Sequence, residues 1–179
     1  PSPGTHKQEE KHMNIFITHD DPVECASALA DQHLQSQVEE AAKILTAALY
    51  RHEITDRVLG QPRNTNGRYA QWAAENWNQF MWLAIHGMAL VDEHHFRFGG
   101  VHKNAKDILI AGNIGSLMLD EDPHTPSKWP RSKASEAFTD RDVFRAYRQV
   151  LREKYAVWAQ TGRAACWTGT EPPTWLQPR

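Results

Sequence analysis

His33, in the run Leu29-Ala30-Asp31-Gln32-His33-Leu34, and Glu40, seven positions on, pair an imidazole with a carboxylate. Offsets of three, four and seven return to one side of a helix, so His33, Gln37 and Glu40 share a face. Apolar Ala41, Ile44 and Leu45 flank them, which sets the polar pair at the edge of a core. Either group can act there as a general base. A carboxylate close to an imidazole favours the imidazolium, so the two are expected to face a common cleft and titrate as a coupled pair. A core-edge histidine and a glutamate paired with Lys43 have the same spacing, and the pattern alone does not choose between chemistry and packing.

Arg97, His102 and Lys103 bracket Gly99-Gly100, where one helix should end and another begin. Two cations and an imidazole beside free N–H groups at a helix start suit a phosphate, although an arginine at a helix C-terminus also arises as ordinary capping. Arg141, Arg145, Arg148 and Arg152 return at offsets of four and seven and form one stripe. Such a stripe meets DNA phosphates in a salt-sensitive way; Asp140, Asp142 and Glu153 are its neutralising neighbours. Of the seven tryptophans, Trp129 and Trp175 lie in Pro-rich segments where a ring can project. An aromatic replaces the stacking that a base loses on leaving a duplex, and Trp129 is the candidate for that role. His86, His94, His95 and His102 lack zinc-site spacing, so no metal is expected. Ser116, Ser127 and Cys166 stand outside any nucleophile-elbow context, and there is no phosphate-binding P-loop.

These groups need helices to hold them. Asn14–Thr18 is apolar and β-branched, a short strand or extended arm. Asp21-Pro22-Val23-Glu24 starts a helix, with Asp21 as cap, Pro22 in the first position and Glu24 reaching back. Helical periodicity then runs to about Arg51, with a break near Ala30-Asp31. Gln61–Gly67 is a loop. A long helix is expected from Arg68 to Phe98, stopped by Gly99-Gly100, then another from His102 to Ala111. Gly112–Phe138 reads as a long loop, of the kind that is usually functional or mobile, and Thr139–Asp142 caps a last helix to about Gln160. The expectation is a mainly α, single-domain fold over residues 13–179 with a short N-terminal extended segment. Residues 1–12 are polar and aperiodic and read as an expression remnant or flexible arm.

The length of 179 residues suits one domain with a real core, and the net charge of −2 confines any DNA contact to a local basic surface. Cys25 and Cys166 have neither metal-site nor disulfide-framework spacing, as in a reducing cytoplasm. No apolar run approaches membrane-spanning length, and no secretory signal is visible.

Leu-Ala-Asp-Gln-His-Leu followed by a glutamate nine residues after the aspartate resembles the first helix of the phage pyrimidine-dimer DNA glycosylases, the endonuclease V family. The resemblance implies a catalytic role for Glu40 and an active-site place for His33. From about Met13 to Trp175 the chain is similar to a sister group, the phage amino acid:DNA transferases of thymidine hypermodification. The motifs are Met13-Asn14-Ile15-Phe16 with Asp21-Pro22, Trp82-Leu83 with His86-Gly87, Arg97-Phe98-Gly99 with Val101-His102-Lys103, Thr125-Pro126, and Tyr147-Arg148 with Glu153-Lys154 and Trp158. A dimer glycosylase/lyase attacks with the amine of a mature N-terminal threonine; here the corresponding helix follows a longer segment that opens Met13-Asn14, which ranks that chemistry second.

The transferase resemblance implies double-stranded DNA with a thymine whose 5-methylene carries pyrophosphate, and a free amino acid, glycine or serine, whose amine displaces it. His33 or Glu40 would take the proton. Lys43, Arg97, His102 and Lys103 would hold the pyrophosphate, and Arg145, Arg148 and Trp129 the DNA. No cofactor is implied, and the setting is the cytoplasm of a phage-infected bacterium. A non-catalytic DNA-binding protein on the same scaffold is the third possibility.

Overall fold

The computed structural model describes residues 14–177, and the expected remnant or arm at 1–12 lies outside them. Seven helices follow in order: α1 (Pro22–Ser27), α2 (Asp31–Arg51), α3 (Arg68–Glu75), α4 (Trp77–Phe98), α5 (Ala105–Met118), α6 (Lys133–Glu136) and α7 (Val143–Gln160), with a 3₁₀ turn at Thr174–Leu176. Helix α4 is the hub and packs on α1, α2, α3 and α5. A Cβ at Gly87 of α4 would lie 3.0 Å from Ile108 and 3.4 Å from Ala41, so the missing side chain lets α2, α4 and α5 cross closely. Tyr147, Leu151 and Tyr155 bring α7 onto the same core. Among the described residues no helix is long and apolar enough to cross a membrane.

Asp21 caps α1 by accepting from the N–H groups of Val23 (2.9 Å) and Glu24 (2.8 Å). The return bond expected of Glu24 is replaced: Asp20 accepts from Asp21 N–H. The helix expected over 68–98 breaks at Asn76, whose backbone is extended (φ −146°, ψ 153°). Its side chain bonds that of Gln79, and Gln79 in turn caps the end of α3 through Trp72 O at 2.9 Å. Local side-chain bonding of this kind is how asparagine competes with a helix. Helix α5 runs on through Gly112 and Gly115, where a loop was expected. The Phe80 ring fills the space beside Gly115, and this packing offsets the cost of glycine in a helix.

Residues 15–18 are buried and Asn14 partly so, and they pair with no strand among the described residues. Their polar backbone must still be satisfied, and side chains do it. Gln37 accepts from Phe16 N–H (3.1 Å) and donates to Asn14 O (2.8 Å). Cys25 Sγ donates to Phe16 O (3.2 Å), and Arg148 Nε donates to Thr18 O (2.9 Å).

Candidate active site and nucleic-acid interface

The two ends of the His33–Glu40 face have different surroundings. His33 is 5% exposed, with its ring centroid 4.8 Å from Phe16, 4.9 Å from Trp158 and 5.6 Å from Tyr155. Burial, helped by the Lys154 charge, pulls the imidazole down to about 3. The ring is therefore neutral at ordinary pH, the reverse of the imidazolium expected from a carboxylate neighbour. The reason is geometric: seven residues of helix separate the two groups by ~10 Å. Gln37 fills the interval, strapped to the 14–16 backbone.

Glu40 is the more available group. Its Oε1 accepts from Lys43 Nζ at 3.3 Å, while Oε2 is buried with no hydrogen-bond partner among the described residues. Leaving a buried carboxylate oxygen unpaired is costly, and an incoming donor would relieve it. His33 Nε2 is likewise buried and unpaired. Lys154, named in the sequence only through the Glu153-Lys154 motif, lies close to His33. Its Nζ lies 5.7 Å from the Phe16 ring and 5.8 Å from the Trp158 ring, and it supplies the charge that acts on His33. Its four-residue spacing from Trp158 was the available signal.

Arg97 does not face a cleft. Its side chain is fully buried, and all five donors are engaged: Nε and Nη2 on Glu93, Nη1 on Leu29 O and Asp31, Nη2 also on Ser27 O. It clamps the end of α4 to the α1–α2 junction and has no donor left for a phosphate, which corrects that assignment. Asp31 is also held by Thr168 N–H and Oγ1, so the clamp fastens the C-terminal segment too. These bonds hold the Asp31 carboxyl below its usual range despite partial burial.

Lys43, His102 and Lys103 do come together, but around Glu39. Lys103 Nζ lies 2.9 Å from Glu39 Oε1, and this bond, aided by the charges of Lys43 and His102, lowers the Glu39 carboxyl. His102 is buried with its ring 5.0 Å from His94, and burial depresses it.

The expected DNA groove is divided between two cavities. Arg145 and Arg148 line one of about 600 Å³ together with Arg152 and Trp175. Trp129 lines another of about 610 Å³ with Arg51, Arg68, Lys128 and Arg131. The Trp129 ring is braced edge-on by Trp82 (5.1 Å) and Phe144 (5.2 Å). Neither His33 nor Glu40 lines either cavity.

The scaffold is helical, with His33 and Glu40 on its long second helix and arginine-lined cavities elsewhere among the described residues. The chain belongs to the pyrimidine dimer DNA glycosylase family: that family's model matches residues 13–108, just over half of the chain. No curated protein and no solved structure matches it.

Proposed function

We propose that this protein transfers an amino acid, glycine or serine, onto a modified thymine of double-stranded DNA. The amine attacks the 5-methylene carbon of pyrophosphorylated 5-hydroxymethyluracil, the carbon–oxygen bond breaks, and pyrophosphate departs with the electron pair. The proton shed by the ammonium goes to Glu40. The unpaired, buried Oε2 of Glu40 carries this reading, because it is an acceptor awaiting a donor. His33 is too weak a base at about 3 and acts as a positioning residue beneath the 14–18 segment.

Incubation with pyrophosphorylated 5-hydroxymethyluracil DNA and each amino acid, followed by mass spectrometry of the nucleosides, tests the reaction. The expected product carries a new carbon–nitrogen bond and disappears in Glu40→Gln. Product from Glu40→Gln within a few fold of wild type, or none from wild type, overturns the proposal.

Family membership favours a second reading, a glycosylase/lyase on pyrimidine dimers or modified bases. That chemistry needs an amine, and Lys43 Nζ, 3.3 Å from Glu40, is one. Borohydride should trap no adduct with abasic or dimer-containing DNA; a robust adduct lost in Lys43→Ala would put the lyase first.

A further inference from the structure

The cavity between α7 and the C-terminal 3₁₀ turn is cationic, lined by Arg145, Arg148 and Arg152. Helix α7 has no acidic residue in its first turn but has Arg145 there, with Arg148 and Arg152 following down the same side. The start of a helix carries the positive end of its dipole, so cations there are unfavourable unless an anion meets them. Among the described residues Arg148 and Arg152 hydrogen-bond main-chain carbonyls, Thr18 O (2.9 Å) and Trp175 O (2.8 Å), and pair with no carboxylate. Arg145 faces Asp142 at 3.6 Å, but that carboxylate already caps α7 through Phe144 N–H at 2.9 Å. Asp140 is the one carboxylate residue among the lining groups. The field reaches beyond the cavity: burial first and Arg148 second hold the His19 imidazole below its ordinary value.

Shape narrows the ligand. The 3₁₀ turn is tied to α7 through Arg152 and Trp175 O, and Thr174, Trp175 and Gln177 line one part of the space of about 600 Å³. Three arginines spread over two helical turns, ~10 Å, suit a group with several phosphoryl oxygens better than a single phosphate. Trp175 also lines the cavity, and the Arg152 guanidinium lies 6.0 Å from its ring centroid. The walls lie outside residues 13–108, so the cavity is an addition to the part that defines the family.

We propose that this cavity binds a diphosphate, with Arg145, Arg148 and Arg152 as its ligands and Trp175 at its wall. Neither His33 nor Glu40 lines this cavity, and binding there does not depend on the transfer reaction. Calorimetric titration of the full chain with pyrophosphate, and separately with inorganic phosphate, should show pyrophosphate bound more tightly. Arg145→Gln, the substitution that breaks fewest internal bonds, should weaken it about tenfold. Arg148→Lys, which keeps charge but loses the planar fork, should also weaken it. Lys103→Gln should leave it unchanged, and a tryptophan fluorescence change on binding should vanish in Trp175→Phe. Unchanged affinity in Arg145→Gln, equal loss in Lys103→Gln, or no binding by wild type would overturn the site. Displacement by unmodified duplex DNA would assign the arginines to backbone phosphates and overturn the diphosphate. If binding persists while transfer is never seen, the reaction alone fails. If transfer proceeds and pyrophosphate inhibits Arg145→Gln as well as wild type, the cavity alone fails.

Discussion

The α4–α5 junction and the start of α7 are both rich in cations, yet they do opposite work. At the junction Arg97 is answered from within by Glu93 and Asp31, and Lys103 by Glu39. At α7 the guanidiniums of Arg148 and Arg152 reach carbonyl oxygens, which accept hydrogen bonds without cancelling charge. Counting basic residues therefore says little about where an anion goes. What decides is whether a carboxylate has arrived first.

The largest effect that can break this contrast is at Arg97. Arg97→Met leaves Asp31 and Glu93 near a buried, empty place and should cost about 3–5 kcal/mol of stability, read from the urea midpoint. Pyrophosphate affinity of the folded protein should not change. A loss of pyrophosphate affinity with stability intact would make the junction the anion site after all.

Glu40→Gln should lower transfer by ~10²–10⁴-fold with DNA affinity unchanged, since the amide keeps the shape but accepts no proton. A comparable loss of DNA affinity would move Glu40 from chemistry to binding.

His33 gives the next effect, through pH. In the unfolded chain it takes up a proton below its ordinary 6.5, whereas in the folded chain it holds none until about 3. The unfolded state binds more protons in that window, so stability falls as pH is lowered through it. His33→Leu should flatten the acid limb of a stability–pH curve. An unchanged limb would mean that the imidazole is solvated and open to substrate.

On the α7 side, Arg145→Gln should reduce the slope of log affinity for DNA against log salt by about one if Arg145 also touches a backbone phosphate. A full, unchanged slope would reserve Arg145 for the cavity alone. The smallest effect belongs to Lys43→Ala, whose half-exposed pair with Glu40 contributes under ~1 kcal/mol. A larger loss of stability would show that Lys43 neutralises the site.

Helical periodicity made α1, α2 and α7 legible, together with the Asp21 and Asp142 caps and the Gly99 stop, because these are local bonds and local backbone angles. The break at Asn76 was not, since its flanks are both helical and only the Gln79 side chain reveals the interruption. Nor was the extent of α5, whose glycines are tolerated because Phe80 lies on them. The seven-residue spacing correctly put His33 and Glu40 on one helix, but not the Gln37 strap between them. Arg97 misled for a related reason: beyond Glu93, four positions before it, its partners come from positions 27–31, some 70 residues away, and no window on the sequence joins them.

The side-chain strap on residues 14–18 also bears on how the chain folds. A β-strand zips onto a neighbour one bond at a time, but this segment has no neighbour to zip onto. Beside the nearby Cys25, its bonds come from Gln37 and Arg148, 21 and 130 positions away. Its full attachment needs α2 and α7 in place, which makes it a late event of high contact order. Gln37→Ala should then speed unfolding while leaving the folding rate nearly untouched, the signature of a contact absent from the transition state.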